Sequence, residues 1–149
     1  VVAFNETKTF KYEVEDSSSV LFEMDNGGFA YVESNFNIPD AASKAKFEIY
    51  GTKGSMVATG TLSQVEEGDL EVLLSDDSLE YDAQQNRVHV APVKIDVEFG
   101  NMYTKEIDSF CDSILYNKPI EVPVEDAIQV QKVIEAAYRS SENEVFVKL

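Results

Sequence analysis

The sequence predicts an α+β fold, in which a mostly antiparallel, open-faced sheet has helices packed on one face. The first two-thirds of the chain contains short runs of β-branched and aromatic residues separated by glycine-containing turns, which is typical of antiparallel strands. The last third changes to a helical period, with apolar residues along one stripe. Strands followed by helices in sequence order favour the α+β class. The chain has 149 residues, 44% of them hydrophobic, which suits one domain with a substantial core.

The strand-rich part predicts two hairpins. The runs "SVLFEM" and "FAYVESNF" flank "DNGG", and Asn-Gly between two β-rich runs favours a tight turn whose central residues both have positive φ. The runs "KAKFEIY" and "SMVATGTL" flank "GTKG" in the same way. Further strands are predicted at "DLEVLL" and "RVHVAPVKIDVEF", where Pro92 marks a bulge or a sheet edge. The opening "VVAF" resembles the inside of a strand, and because the first residue is Val1 we expect the chain to be part of a longer protein.

The first helix is predicted to begin at Asn101 and to stop at Asn117, Lys118 and Pro119. Its apolar residues recur at helical spacing and form one stripe. The members of this stripe are Tyr103, Ile107, Phe110, Cys111, Ile114 and Leu115.

The second helix is predicted to begin near Glu125. Glu125 and Asp126 lie in its first turn and Arg139 lies near its last, so each charge would complement the helix macrodipole. The final "VFVKL" is compatible with an edge strand. The apolar stripe of this helix consists of Ala127, Val130, Ile134, Ala137 and Tyr138.

The uncovered face of the predicted sheet suggests self-association. Two helices can cover one face, so the other must be solvated or meet a partner. The run "FAYVESNF" places Phe29 and Tyr31 on one side and Val32 and Phe36 on the other, so neither face has the polar set of a solvated one. We therefore expect a homodimer, or a tetramer built from dimers, joined through open sheet faces.

The charge of the chain disfavours polyanionic partners. There are 28 acidic against 12 basic residues, a net charge of -16. This charge repels phosphate backbones and anionic lipid, so we expect neither nucleic acid nor a membrane as partner. No apolar run has the length of a membrane span, and no signal-peptide pattern is present. A single cysteine excludes an internal disulfide and is compatible with the cytoplasmic location that we expect.

The stretch "FEIYGTKGSM" is similar to a phosphate-binding loop because it contains Gly-x-x-Gly-Ser with a lysine. A phosphate loop opens a helix, whose free N–H groups hold the phosphate. Here Gly54 leads into Val57, Thr59 and Thr61, which favour a strand, and Lys53 precedes the second glycine rather than following it. We therefore interpret the stretch as a hairpin turn, and we expect no dinucleotide site in this chain.

Four other features of the sequence are candidate sites. His89, the one histidine, is expected to face solvent or an interface on a strand, with the alternative that it lines a pocket. The acidic segment "EEGDLEVLLSDDSLEYD" does not follow the calcium-loop pattern and is expected to be a set of solvated loops, although a hydrolase using these carboxylates is a third, weaker alternative. Cys111 is expected to be a core residue rather than a nucleophile. Tyr31, Tyr50 and Tyr103 are either core residues or contacts to an interface or a sugar-like ligand.

The order of several short motifs resembles the C-terminal domain of one oxidoreductase family, that of glucose-fructose oxidoreductase, inositol dehydrogenase and the rhizopine-catabolism oxidoreductase. The resemblance covers nearly the whole chain, and the motifs are specific through their order and spacing rather than individually. They are Val14–Asp16, Asn26–Gly27, Gly51–Ser55, Phe110 with Ile114, Pro123–Ala127, and Ala137 with Tyr138 and Ser140.

The resemblance implies a two-domain parent enzyme. An N-terminal Rossmann domain, absent from this chain, would hold NAD or NADP and supply the catalytic lysine. Residues 1–149 would be a single C-terminal domain that shapes the pocket for a sugar, a cyclitol or a related hydroxyl compound and forms the subunit interface. The parent would be an NAD(P)-dependent oxidoreductase of CH–OH groups, and this fragment alone would be inactive.

The departures from the family limit what can be transferred. The Rossmann glycines are missing, "NKP" at Asn117–Pro119 has Asn where the family motif has Glu, and Val124 stands where a Ser or Thr cap is common. We therefore assign no catalytic, cofactor-binding or metal residue, and name His89 and Tyr103 as candidate substrate contacts. The alternative function is a stand-alone, non-catalytic binding or scaffold module.

Overall fold

The computed structural model describes residues 1–43, 45–62, 67–75 and 91–149. Within these ranges the chain divides into two compact units, one formed by Val1–Ala42 with Pro119–Leu149 and the other by Ser43–Lys118. The predicted α+β class, with open antiparallel sheets and helices, is confirmed. The strands are β1 (Val2–Glu6), β2 (Ser17–Glu23), β3 (Phe29–Asn35), β4 (Lys46–Gly51), β5 (Gly54–Thr59), β6 (Asp69–Leu74) and β7 (Val93–Ile95), and the helices are α1 (Met102–Tyr116) and α2 (Val124–Asn143).

The first unit contains an antiparallel sheet in the order β1-β2-β3 with α2 packed against β1. The register pairs Ala3 with Val20 and Val20 with Val32, so these three side chains lie on one face. On that face, α2 contributes Ala136 and Ala137 to the core. The remaining core members are Val1, Ala3 and Val147, with Val20, Phe22 and Val133 packed around them.

The outer edge of β1 is closed by hydrogen bonds from the end of the chain. The Ala3 amide donates to the Ser140 hydroxyl at 3.1 Å, and the Asn5 amide donates to the Ser141 hydroxyl at 2.9 Å. Val1 and Val147 exchange two bonds, with each nitrogen donating to the other residue's carbonyl. An unpaired strand edge would be open to pairing with other chains, so these contacts protect β1.

The predicted "DNGG" hairpin is present between β2 and β3, but its turn is longer than expected. The Gly27 amide donates to the Met24 carbonyl and the Met24 amide to the Gly28 carbonyl, so three residues form the loop. Gly27 has φ +81°, whereas Asn26 does not have positive φ. A three-residue loop ending in a left-handed glycine fits this bonding, so the expectation of positive φ at both central residues was wrong.

The second unit contains an antiparallel sheet in the order β4-β5-β6-β7. Gly51 pairs with Gly54 at the β4–β5 turn, where Gly54 has φ +148° and leads into a strand. The hairpin interpretation of "FEIYGTKGSM" is therefore confirmed. Pro92 directly precedes β7, which is an edge strand among the described strands, in agreement with the prediction.

Helix α1 has the predicted bounds but not the predicted burial. Asn101 caps it by accepting a hydrogen bond from the Thr104 amide at 3.0 Å, and Asn117 ends it in the left-handed conformation. No residue of α1 is buried, and Cys111 is exposed. The expectation that Cys111 is a core residue was wrong, because helical spacing predicts which residues share a face but not what covers it.

Helix α2 begins at Val124, one residue before the predicted start, after a Pro123 cap without a side-chain bond. It continues to Asn143, so Arg139 lies just before the last turn rather than in it. A left-handed Glu144 ends the helix. The segment after it is not a strand, although Val147 pairs with Val1 as an edge strand would.

Candidate functional site

A cleft of about 870 Å³ lies in the first unit, between α2 and the face of the sheet formed by β1, β2 and β3. Helix α2 packs against β1. Most of the residues that line the cleft belong to β2, β3 and α2. Clefts of about this volume with mostly apolar linings are typical of small-molecule sites. The apolar lining includes Val20, Phe22 and Val32 from the sheet and Val130, Val133 and Ile134 from α2.

The charged side chains of the cleft are at the two ends of β2. Glu15 and Asp16 precede this strand, and Glu23 and Asp25 lie at its other end. Among the described residues that line the cleft there is no Lys, Arg or His. The lining therefore provides burial for an apolar body and hydrogen-bond acceptors at both ends.

Asp16 is the most buried charged residue described, with 1% of its surface exposed. Its carboxylate accepts hydrogen bonds from the amides of Lys8, Thr9 and Phe10 at 2.8, 2.7 and 2.9 Å, and a longer one of 3.5 Å from the Asn37 side chain. Burial by itself would raise the pKa of Asp16, but the backbone donors outweigh it and hold the pKa below its ordinary value. This carboxylate fixes the loop between β1 and β2 to the base of the cleft.

Tyr138 joins α2 to the same region. Its hydroxyl donates to Glu15 Oε1 at 2.5 Å. The hydrogen bond to Glu15, then burial and the negative charge of Glu15, raise the pKa of the Tyr138 phenol. The pair closes one end of the cleft, where α2 meets the loop that Asp16 organises.

Of the two candidate substrate contacts from the sequence, Tyr103 is not among the described residues that line the cleft. Tyr103 lies in the first turn of α1, in the second unit, and is 50% exposed. His89 lies outside the described residues, so its role stays a prediction. Tyr31 and Tyr50 are exposed rather than core.

The sequence pattern places Tyr138 on the apolar stripe of α2, but it indicates no functional role for Asp16 or Tyr138. Asp16 and Tyr138 both lie in motifs that carry the family resemblance, "VED" and "A-x-Y-x-S". These two motifs are the sequence signal that could have drawn attention to Asp16 and Tyr138. A single sequence does not show that Asp16 is buried or that Tyr138 meets Glu15.

The acidic segment is only partly described. Within it, Asp69 on β6 forms an ion pair with Lys94 on β7. The side-chain hydrogen bond and the charge of Asp69 raise the pKa of Lys94. Across the described ranges, no three His, Cys, Asp or Glu side chains are grouped as a metal site requires.

Neither α1 nor α2 is long and apolar enough to cross a lipid bilayer, and the search for such a helix covered the described residues.

The family model described as "Oxidoreductase family, C-terminal alpha/beta domain", of the glucose-fructose oxidoreductase, inositol dehydrogenase and rhizopine-catabolism group, matches residues 1–149. The chain belongs to this family. The resemblance seen in the short motifs is therefore confirmed, and the cleft lies in a C-terminal α/β domain of an oxidoreductase family. No curated protein matches the chain.

Solved structures have the same fold. The aldose-aldose oxidoreductase of Caulobacter crescentus, in complex with glycerol, matches with a TM-score of 0.77 and 20% identity over 99% of this chain and 40% of that one. A proposed NADPH-dependent oxidoreductase of Desulfitobacterium hafniense has a TM-score of 0.74 and 20% identity over 97% of this chain and 40% of its own. YvaA of Bacillus subtilis, a proposed oxidoreductase, has a TM-score of 0.68 and 18% identity over 99% of this chain and 44% of its own. At these identities the likeness is one of fold, and the chain spans less than half of each relative.

Proposed function

We propose that this domain is the substrate-binding and oligomerisation part of an NAD(P)-dependent oxidoreductase that acts on a CH–OH group of a sugar, a cyclitol or a related compound. The observation that carries the proposal is the family match over residues 1–149. Two further facts support it. The similar structures are more than twice as long as this chain, and two of them are named for aldose or NADPH chemistry.

The turn that is most similar to a phosphate loop does not fit a dinucleotide. The glycine pair most similar to a phosphate loop, Gly51 and Gly54, joins two strands rather than a strand and a helix, so no helix N-terminus is available there for a phosphate. The cofactor would be held by an N-terminal Rossmann domain, the proposed partner of this domain. No chemical step is assigned to residues of this chain.

Substrate contact is proposed for His89 and Tyr103. Tyr103 has an aromatic ring and a hydroxyl that suit a hydroxylated ring, and it is half exposed at the start of α1. His89 would be the near-neutral titrating group of such a pocket. We also propose that the parent is cytoplasmic, since the single cysteine of this chain leaves no internal disulfide.

Self-association is proposed through the face of the β1-β2-β3 sheet opposite α2. Phe4, Leu21, Phe29 and Tyr31 lie on this face and are all exposed. A second copy of the chain is the proposed occupant, because two-fold dimers are the commonest closed assembly and a sheet face can bury the roughly 1,000 Å² that a specific contact needs. The net charge of -16 opposes association, so added salt should strengthen it by screening.

The natural coding sequence upstream of Val1 gives the first test of the enzyme proposal. A strand–Gly-x-Gly-x-x-Gly–helix pattern there is expected, and its absence would contradict the proposal. The full polypeptide is then assayed for reduction of NAD⁺ and NADP⁺ with a panel of aldoses and cyclitols. The 149-residue chain alone should show no heat of binding with NADH or NADPH in isothermal titration. Micromolar binding would contradict the proposal that the Rossmann domain, and not this domain, holds the cofactor.

A stand-alone binding module is the second candidate function, and the cleft favours it. The cleft is complete within one unit and needs no other domain to form its walls. Ligand binding by the isolated chain, together with no oxidoreductase activity in the full polypeptide, would support this alternative over the enzyme proposal.

A further inference from the structure

Two aromatic rings form a corner of a second, smaller cavity of about 400 Å³ in the first unit. Phe10 and Phe36 both line this cavity, with ring centroids 6.2 Å apart and ring planes at 63° to each other. Tyr12 stacks on Phe10 with centroids 5.6 Å apart. Phe36 is 79% exposed, so this inclined pair leaves aromatic surface open to a ligand.

Asp16 fixes the positions of the two rings. Its carboxylate accepts the Phe10 amide at 2.9 Å, and its carbonyl accepts the Phe36 amide at 2.9 Å. One nearly inaccessible residue therefore holds two exposed aromatic residues from different parts of the chain. Because the backbone at both rings is already ordered, a ligand loses less binding free energy to ordering them.

The rest of the lining offers apolar contact and negative charge. Ile38 and Pro39 add aliphatic surface, and Asp40 adds a carboxylate. No Lys, Arg or His is among the described residues that line the cavity. An anion placed here would meet a carboxylate without a compensating cation, so the lining disfavours anions and favours cations.

The side-chain donors of the lining already bond within the protein. The Asn35 amide donates to the Glu33 carboxylate at 3.0 Å. The Asn37 amide donates to the Thr9 hydroxyl at 3.2 Å and to the Asp16 carboxylate at 3.5 Å. These bonds orient the two amides towards protein acceptors, so the aromatic and aliphatic surfaces and the Asp40 carboxylate are what the cavity offers to a ligand.

The cation–ring contact found among the described residues lies elsewhere, in the second unit, where the Lys118 ammonium is 5.9 Å from the centroid of the Tyr116 ring. Lys8, whose amide bonds to Asp16, has its ammonium 3.5 Å from the Glu6 carboxylate. No described lysine therefore occupies the corner between Phe10 and Phe36.

We propose that this cavity binds a quaternary ammonium group, as in choline. The face of an aromatic ring attracts a cation, and such groups are bound in proteins by clustered rings. A primary ammonium has three donors to satisfy, whereas a quaternary ammonium has none and presents methyl groups. It therefore suits a lining in which rings and aliphatic side chains surround one carboxylate.

The ammonium group lies against Phe10 and Phe36 in this proposal. Its methyl groups contact Ile38 and Pro39, and its charge is close to Asp40. The net charge of -16 on the chain also favours a cationic ligand over a neutral one. A single head group in an open site places the dissociation constant in about the millimolar range.

The first test compares choline with 3,3-dimethylbutan-1-ol, which has the same shape with a neutral carbon in place of the nitrogen. Chemical-shift mapping by titration of the 149-residue chain should show shifts at the amides of Phe10 and Phe36 with choline. Choline should bind about fivefold more tightly than the neutral alcohol. Equal affinities, no binding of choline, or shifts confined to the α2 side of the larger cleft would overturn the proposal.

Substitutions at Phe36 separate the ring from its apolar bulk. Phe36→Leu should weaken choline binding about fivefold, whereas Phe36→Tyr, which keeps a ring, should leave it within about twofold. Phe29→Leu is the matched control, since Phe29 is 76% exposed at the other end of β3. Equal choline affinities of Phe36→Leu and Phe29→Leu would contradict the site. The mapping uses the unsubstituted chain, so it decides the matter even if a variant fails to fold.

Substitution of Asp40 tests the contribution of charge. Asp40→Asn should weaken the binding of choline and leave that of 3,3-dimethylbutan-1-ol unchanged, so that the preference for the cation falls. Asp25→Asn, which removes an exposed carboxylate outside this cavity, is the control and should keep the preference. The same loss of preference in both variants would show that the overall charge of the chain, and not this cavity, attracts choline.

Phosphocholine distinguishes a free amine from a lipid head group. It carries the same ammonium group with a phosphate, which the Asp40 carboxylate and the negative chain repel, so it should bind more weakly than choline. Tighter binding of phosphocholine would overturn the assignment. The titrations contain no cofactor, so their outcome is separate from that of the proposed oxidoreductase function.

Discussion

The Tyr138 hydroxyl donates to Glu15 Oε1 at 2.5 Å and so connects two residues that are 123 positions apart in the sequence. This bond ties α2 to the loop that precedes β2, within one unit. Because Glu15 neighbours Asp16, the same short segment carries both the tie to the helix and the buried carboxylate.

Tyr138→Phe should lower the free energy of unfolding by about 1 kcal/mol, the scale of a partly exposed hydrogen bond to a charged group. Folding raises the pKa of Tyr138, so the neutral phenol stabilises the fold below the phenol's ordinary pKa, and this stability is lost as the pH rises through the raised value. Urea titrations at neutral and alkaline pH measure both effects. Tyr31→Phe, whose hydroxyl makes only a 3.5 Å exposed contact, is the control and should change little.

Asp16→Asn should destabilise the chain clearly at neutral pH and reduce its sensitivity to acid. The native pKa of Asp16 is lowered, so its contribution is fully present above the ordinary pKa of 3.8 and is lost as the pH falls through the lowered value. Acid titrations followed by circular dichroism compare this variant with Asp25→Asn, an exposed carboxylate in the hairpin loop. An unchanged acid midpoint in Asp16→Asn would show that its hydrogen bonds are not as described.

Local features of the fold were predictable from the sequence, and contacts between distant segments were not. The turn at Gly54 and the caps at Asn101 and Asn117 depend on a few neighbouring residues, and short motifs encode them. The burial of Asp16 depends on amides six to eight residues upstream and on Asn37, which is 21 residues downstream. Helical spacing indicates which residues share a face but not what covers that face, so the core position predicted for Cys111 differs from its observed exposure.

The same distinction applies to the candidate site. The motifs "VED" and "A-x-Y-x-S" identified the family, but they gave no reason to place Glu15 next to Tyr138. The candidate contacts His89 and Tyr103 came from residue chemistry alone. The chemical type of a residue does not show where it lies in the fold, so it could not locate the cleft. The walls of the cleft combine strands from the first part of the chain with a helix from the last part.

Gly54→Ala should destabilise the chain by more than about 1 kcal/mol, while Gly51→Ala should be tolerated. A Cβ added at Gly54 would lie 2.0 Å from the Leu73 carbonyl oxygen, and the residue has φ +148°. A Cβ added at Gly51 would meet its nearest atom at 3.9 Å, which is ordinary contact. Thermal melts of the two variants test this difference, and equal melting temperatures would contradict the hairpin geometry.

Ser140→Ala should cost about 1 to 3 kcal/mol, because it leaves the Ala3 amide without its partner in a buried position. The Ser140 hydroxyl also donates to the Val145 carbonyl at 2.6 Å, so the end of the chain loses a contact as well. Ser141→Ala, at a less buried position on the same edge, should cost less. Hydrogen exchange should show faster exchange of the Ala3 amide in the first variant, and unchanged protection would count against an edge held by Ser140.

Leu21→Asp should weaken the proposed dimer about tenfold or more, because it places a charge in the middle of the open sheet face. Leu21 pairs with Val2 and Tyr31, and it lies on the face that carries Phe4 and Phe29. Ile107→Asp is the matched control, since Ile107 is also an exposed apolar residue but lies on α1. Sedimentation equilibrium at low and moderate ionic strength should show stronger association of the unsubstituted chain with added salt, since screening reduces the repulsion between copies that each carry a charge of -16. A monomer at tens of micromolar in both buffers, or equal weakening by the two substitutions, would rule out this face as the interface.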